Sequence, residues 1–174
     1  MCAEPIVEQY PPRVTIRRAT EQDCERVLAW NNDPRSRAMS VNREAIELEQ
    51  HQTWYAATLA SSDRRLYVGE SAEGVPLGLV RFDLDFATAH VRVSINLGPE
   101  ARGRGFALPL LQQAIAALRA EVALPQGIEL VAVVRNENVP SKKCFLRARF
   151  KPSGDDGQFT TYIRSASGEE CSCT

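Results

Sequence analysis

Apolar residues along the chain recur with the two-residue period of strands in some stretches and with the wider period of helices in others. The strand-like stretches are Val14–Arg18, Leu66–Val68, Leu77–Phe82, His90–Leu97, Ile128–Val134 and Phe159–Arg164. The helix-like stretches are Thr20 to about Trp30, Ile46–Leu59, Leu108 to about Glu121 and Val139–Arg147. Strands and helices are interspersed, so the pattern predicts one mixed α/β domain over residues 13–164. Residues 1–12 and 165–174 carry no such pattern and are predicted to be flexible termini.

Two strands are especially regular. In His90–Leu97 the apolar residues fall on one face, and His90, Arg92, Ser94 and Asn96 fall on the other. Ile128–Val134 is apolar except at Glu129, which is typical of a central strand covered on both faces.

Composition excludes several classes of protein. The chain has 174 residues, a formal net charge of −1 and scattered basic residues, so neither nucleic acid nor an anionic membrane is an expected partner. No apolar run is long enough to span a bilayer, and no signal peptide is recognisable. Five unevenly spaced cysteines favour a reducing compartment, the cytoplasm, over a disulfide framework. Cys171 and Cys173 have no second pair of ligands at metal-site spacing, so no metal is expected.

The most informative motif is Arg102-Gly103-Arg104-Gly105-Phe106-Ala107, which lies between a strand and a long helix. A helix start offers unpaired N–H groups and partial positive charge, and glycines let a phosphate approach the backbone closely. A pyrophosphate is the natural ligand. Leu108 stands where a dinucleotide fingerprint has its third glycine, and a Gly-Lys-Ser/Thr ending is absent, so neither a dinucleotide site nor a Walker loop fits.

A second motif runs from Val134 to Phe150. A strand ends, an Asn-rich turn follows, and Asn138 precedes a helix with Ser141 in its first turn. Together the two motifs resemble those of the GNAT superfamily of acyltransferases. Arg102, Gly105 and Ala107 match the pattern Arg/Gln-x-x-Gly-x-Gly/Ala, and Asn138, Ser141 and Phe150 match the later pattern.

This resemblance implies an α/β GNAT fold. It has a mixed, mostly antiparallel twisted sheet of six to seven strands, about four flanking helices, and a splay between the fourth and fifth strands. It also implies acetyl-CoA as co-substrate, bound by residues 102–107, by the backbone near Asn96 and Leu97, and by Asn138 and Ser141. The activity implied is acetylation of a primary amine.

Two positions depart from the family pattern. Phe145 stands where the family has the tyrosine that protonates the leaving thiolate, and Arg149 stands where it has a glycine. The glutamate that many relatives carry on the preceding strand is also missing. The candidate catalytic residues are therefore His90, whose imidazole could accept a proton as general base, and Cys144.

The acceptor amine depends on the N-terminal region. Met39, His51 and Trp54 are the candidate substrate contacts, in a stretch that resembles enzymes acetylating a UDP-linked 4-amino-4,6-dideoxy sugar. That resemblance favours a nucleotide-linked aminosugar as substrate. Two alternatives remain: a GNAT enzyme for another amine (a protein N-terminus, a polyamine or an aminoglycoside), and a non-catalytic acyl-CoA-binding domain. A homodimer is a further expectation.

Overall fold

A seven-stranded sheet carries the fold in this computed structural model, which describes residues 12–167. The strands are β1 Thr15–Arg18, β2 Arg64–Glu70, β3 Pro76–Asp85, β4 His90–Leu97, β5 Glu129–Arg135, β6 Lys151–Asp155 and β7 Phe159–Ser165. Their order is β1-β2-β3-β4-β5-β7-β6, and only β4 and β5 run parallel. The predicted flexible termini, with Cys171 and Cys173, lie almost wholly outside the described residues.

Five α-helices flank the sheet in the described part of the chain. They are α1 Cys24–Asn32, α2 Pro34–Met39, α3 Leu48–Ala60, α4 Ala107–Glu121 and α5 Val139–Arg147. Short 3-10 turns precede α1 and α4. This arrangement confirms the predicted α/β fold with a mixed, mostly antiparallel sheet.

The sequence pattern missed α2 and β6. The pattern ends the first predicted helix near Trp30, but Pro34 occupies the first turn of a new helix, where a proline costs no hydrogen bond. The Asp33 side chain accepts from the N–H of Ser36 at 3.0 Å and caps that helix. β6 is an exposed edge strand, where Pro152 and Gly154 are tolerated.

Two apolar clusters cover opposite faces of the sheet. The larger packs α4 and α5 against β3, β4, β5 and β7 and includes Phe82, Leu110, Leu130 and Phe150. The smaller packs α1 and α3 on the other face over β2 and β3 only. The second face of β4, β5 and β7 is therefore not covered by that cluster, and we call it the open face. The prediction that both faces of β5 are covered is wrong, since Val133 is 37% exposed.

Two local interactions fix the start of the domain. Asp23 is 2% exposed and closes a capping box with Thr20. Arg17 donates two hydrogen bonds to the Asp23 carboxylate, at 2.7 and 2.8 Å, and a third to Glu70 at 2.7 Å. These bonds tie the first turn before α1 to β1 and β2. Within residues 12–167, no helix combines the length and apolar character needed to cross a membrane.

Candidate active site

The parallel pair of strands separates into a gap. β4 and β5 pair only at His90 with Glu129, Val91 with Leu130, and Arg92 with Val131. Beyond these pairs β4 stays bonded to β3 as far as Leu97, and β5 stays bonded to β7 as far as Arg135. The facing edges of the two strands diverge, so their backbone groups are available to an extended ligand. The predicted splay is thereby confirmed.

The glycine-rich loop lies at the wide end of the gap. Gly103 and Gly105 have φ values of +72° and +81°, which side-chain-bearing residues rarely adopt. A Cβ at Gly103 would meet no atom within 4 Å, so the loop surface is open there. α4 then begins at Ala107 and presents the unpaired N–H groups of its first turn. Gly103, Arg104, Gly105, Phe106 and Ala107 thus form a cradle of the kind that a pyrophosphate requires, and pyrophosphate binding there stays a prediction.

The Arg102 side chain is engaged within the protein. Its guanidinium donates to Asp33 at 2.6 Å, to the Ser36 hydroxyl at 2.9 Å and to the Leu97 carbonyl at 3.1 Å. The pair with Asp33 is largely shielded, with side chains 21% and 16% exposed. In this arrangement Arg102 holds the loop against α2, and a contact with pyrophosphate stays a prediction.

α2 crosses the open face of the gap. The Ser36 hydroxyl donates to Asn96 of β4 at 3.0 Å, and the carbonyl of Ser40, just after α2, accepts from Arg135 of β5 at 3.0 Å. Asn96 also donates to the Trp30 carbonyl at 3.1 Å, which joins β4 to α1. The Asn96 side chain is therefore occupied by the protein, and its predicted cofactor contact would have to come from the backbone.

A groove of about 830 Å³ lies beside the narrow end of the gap, on the open face. Its floor includes Asp83 of β3, Arg92 of β4 and Val131 of β5, and one wall is the C-terminal part of α3. It therefore leads to the point where β4 and β5 begin to separate. A groove of this size accommodates a small acceptor molecule.

α5 approaches the gap from the opposite face. The Asn138 side chain accepts from the N–H of Ser141 at 3.2 Å and caps the helix, as the sequence indicated. Both residues are half-buried. They follow β5 directly, so they lie at the wide end of the gap where the predicted cofactor would pass.

Phe145 and Cys144 belong to the main apolar cluster. Phe145 is 2% exposed, meets Phe150 edge-on with ring centroids 5.0 Å apart, and stacks on Tyr162 at 6.4 Å. Cys144 is 7% exposed, and burial raises the pKa of its thiol to about 11. A thiol held in this cluster is a packing group, which argues against the catalytic role predicted for Cys144.

His90 lies at the closed end of the gap. It is the first residue of β4, its side chain is 51% exposed, and its Nε2 is 3.8 Å from a carboxylate oxygen of Glu129. Val93, where the strands have separated, is three residues further along β4 and so about 10 Å away. His90 lines the groove, and its role as a base stays a prediction.

The three predicted substrate contacts lie in different environments. His51 is 1% exposed, and its Nε2 is 2.9 Å from the Cys24 carbonyl, so the structure corrects this prediction and makes His51 a packing residue between α1 and α3. Trp54 is half-buried, with the Arg81 guanidinium carbon 5.7 Å from its ring centroid. Met39 is half-buried at the end of α2. For Trp54 and Met39 a substrate contact remains a prediction.

Sequence reasoning did not single out the residues that shape the open face. Arg81, Arg135, Asp33 and Ser36 are not among the predicted site residues. Arg92 could have been identified from the sequence, because strand alternation places it on the same face as Ser94 and Asn96.

Comparison with known proteins agrees with this architecture. A structure provisionally assigned as a phosphinothricin N-acetyltransferase is 25% identical, with a TM-score of 0.71 over 88% of this chain and 99% of the other. Spermidine N-acetyltransferase from Vibrio cholerae, solved with CoA and spermine, is 18% identical, with a TM-score of 0.76 over 88% and 96%. An N-acetyltransferase from Staphylococcus aureus Mu50 is 22% identical, with a TM-score of 0.71 over 88% and 99%. The two structures that are 18% and 22% identical to this chain establish only its fold.

No curated protein matches the chain. The profile of the "Acetyltransferase (GNAT) domain" family, however, matches residues 13–151. The match includes the strands that diverge, the glycine-rich loop and the helix that follows Asn138. With its divergent parallel strands and its glycine-rich loop before α4, this chain belongs to the GNAT family and is an N-acetyltransferase that uses acetyl-CoA.

Proposed function

We propose that this protein transfers the acetyl group of acetyl-CoA to the primary amine of a small molecule that enters through the groove on the open face. Acetyl-CoA would bind with its pyrophosphate on residues 102–107 and its pantetheine arm in the gap. The backbone of Asn96 and Leu97 would line one side of the arm, and Asn138 and Ser141 the other.

The proposal rests on the observation that the groove, the gap and the glycine-rich loop are continuous. The gap begins at Arg92 and Val131 on the floor of the groove, and it opens toward the glycine-rich loop after β4. An extended thioester lying along the gap would therefore have its acyl end near the groove and its phosphates at the start of α4. An amine in the groove would meet the acyl carbon.

The chemistry requires few protein groups. The neutral amine nitrogen attacks the thioester carbon, the C–S bond breaks, the thiolate takes a proton, and the amine loses one to a base or to water. Backbone N–H groups of β4 in the gap can stabilise the developing oxyanion. Because a thiolate is a good leaving group, Phe145 in place of a tyrosine is compatible with turnover. His90 is the base candidate that lines the groove.

The acceptor is less defined than the reaction. The neighbours reported above include enzymes named for phosphinothricin and for spermidine, and none named for a nucleotide aminosugar. We therefore favour a small amine over the nucleotide-linked 4-aminosugar expected from the sequence. The aminosugar stays as a second candidate because the groove, at about 830 Å³, has room for a bulky acceptor.

The test is thiol release from acetyl-CoA in the presence of phosphinothricin, spermidine, glucosamine or a UDP-linked 4-amino-4,6-dideoxy sugar, with mass spectrometry of the product. We expect release that depends on the amine and an acetylated amine as product. Acetyl-CoA binding in calorimetry without turnover on any amine would instead indicate a non-catalytic acyl-CoA-binding domain. Cytoplasmic location and a homodimer remain predictions, which fractionation and light scattering can check.

A further inference from the structure

The open-face residues that border the gap carry positive charge and no negative charge. On β4 these residues are Arg92, Ser94 and Asn96, and on β5 they are Val131, Val133 and Arg135. The register fixes this set, because alternate residues of a strand share a face. An acceptor amine that approaches the gap from the groove therefore meets arginines at both ends of the opening.

Arg92 is available to a ligand. It is exposed, lines the groove at the narrow end of the gap, and forms no ion pair with another residue between 12 and 167. Its neighbour on β3, Asp83, is paired with Arg81 at 3.0 Å and with Arg64 at 3.7 Å. The nearest carboxylate is thus shared by two other guanidinium groups.

Two contacts hold the Arg135 guanidinium in place. It donates to the Ser40 carbonyl at 3.0 Å, and its guanidinium carbon lies 4.6 Å from the centroid of the Phe159 ring. Its buried Nε–H has no acceptor among the described residues. The stacked, anchored guanidinium contributes a fixed positive charge to the wide end of the gap.

The groove itself also carries negative charge. Asp63, Asp83 and Asp85 line it, and of these three only Asp83 is in an ion pair among the described residues. His90 lies 3.8 Å from Glu129 at the closed end of the gap. Arg81, beside Ser94 on β3, is held by Asp83 and stacked on Trp54. Past the pair of Arg92 with Val131, the open-face positions of β4 and β5 carry no carboxylate, so the charge along the gap itself favours an anionic group over a second cation.

From these contacts, and resting on the acetyl transfer proposed above, we infer that the acceptor is a primary amine carrying an anionic group (carboxylate, phosphinate or phosphate) that binds Arg92, with its nitrogen beside Ser94. A planar guanidinium matches such groups with two parallel hydrogen bonds. Positive charge near the nitrogen also favours the neutral amine over the ammonium ion. The arginines thereby assist the deprotonation for which the sequence offers no glutamate on β4.

The experiment measures binding and turnover separately. Calorimetry in the presence of saturating CoA compares phosphinothricin, glucosamine and spermidine, which differ in charge. We expect the affinity order phosphinothricin, glucosamine, spermidine. Arg92→Gln should weaken phosphinothricin by about tenfold or more and leave glucosamine unchanged. Arg18→Gln, at an arginine of β1 that is paired with Glu121 and does not line the groove, is the matched control and should change neither.

The outcomes distinguish this inference from the proposed function. Tightest binding of spermidine, no binding of any amine, or an equal effect of Arg92→Gln on phosphinothricin and glucosamine would overturn the inference. If spermidine is nevertheless acetylated, the proposed acetyl transfer stands although the inference about an anionic acceptor fails. If phosphinothricin binds through Arg92 but releases no thiol from acetyl-CoA, the charge selectivity stands and the proposed transfer fails.

Discussion

Arg102 and Asp33 form a 2.6 Å ion pair that joins the glycine-rich loop to the first turn of α2, across 69 residues of sequence. The family pattern assigns this arginine to the pyrophosphate, whereas here its guanidinium is committed to Asp33, Ser36 and the Leu97 carbonyl. The pair therefore couples the cofactor loop to the helix that crosses the gap. It thereby links the predicted cofactor-binding loop to the acceptor side of the candidate site.

The first prediction concerns this pair. Asp33→Asn keeps an oxygen that can cap Ser36 but removes the charge that holds Arg102. We expect a severalfold higher acceptor KM and an acetyl-CoA Kd that is unchanged or lower, because α2 loosens while Arg102 becomes free to meet phosphate. A double-mutant cycle with Arg102→Met should show a coupling of about 1 kcal/mol in unfolding free energy. Weaker acetyl-CoA binding with an unchanged acceptor KM would contradict this role.

The second prediction tests the pyrophosphate cradle. Gly105→Ala places a side chain at a φ of +81°, and Gly74→Ala does the same at +78° in a turn where no atom lies within 4 Å. Both variants should lose about 1–2 kcal/mol of stability. Only Gly105→Ala should raise the acetyl-CoA Kd, by about tenfold, because distortion of the loop misdirects a charge-assisted hydrogen bond. Equal affinities of the two variants, measured by calorimetry, would place the cofactor elsewhere.

A third prediction concerns the residue that replaces the family tyrosine. Phe145 is 2% exposed between Phe150 and Tyr162, so Phe145→Tyr would bury a hydroxyl in an apolar cluster. We expect a loss of about 1–3 kcal/mol in urea unfolding and an unchanged kcat for the folded enzyme. Phe86→Tyr, at a side chain that is 47% exposed, is the control and should be neutral. A higher kcat at unchanged stability would show that position 145 reaches the thioester.

The fourth prediction is a pH dependence of stability. Hydrogen bonding to Arg17 lowers the pKa of Asp23 to about 2 from 3.8, against the opposing effect of burial. A depressed carboxyl pKa stabilises the fold above the unfolded pKa, and the stabilisation is lost as pH falls from about 4 to 2. It amounts to about 2 kcal/mol.

The variant Asp23→Asn should remove most of this pH dependence in urea unfolding curves recorded between pH 2 and 5. Asp63→Asn, at an exposed carboxyl in the turn before β2, should retain it. If both variants keep the slope, another carboxyl is responsible for the acid sensitivity.

The sequence by itself determined the structural elements that depend on interactions between neighbouring residues. Alternation defined β4 with its true ends, His90 and Leu97, and the cap at Asn138 defined the start of α5. The glycines at 103 and 105 marked a loop between a strand and a long helix, and the structure has that loop between β4 and α4. Each of these signals lies within a few neighbouring residues, where sterics and hydrogen bonding act directly.

Only the tertiary structure decided which of these residues work together. The gap depends on β4 and β5 pairing at three positions and then bonding to different neighbours, which no local pattern encodes. The burial of His51 depends on how α3 packs on α1, because the same polar residue would be exposed on the helix's other side. Arg92 and Arg135 border one opening because strand register brings distant segments of the chain together. The electrostatic potential at an acceptor is the sum of the contributions of all the charges around that opening.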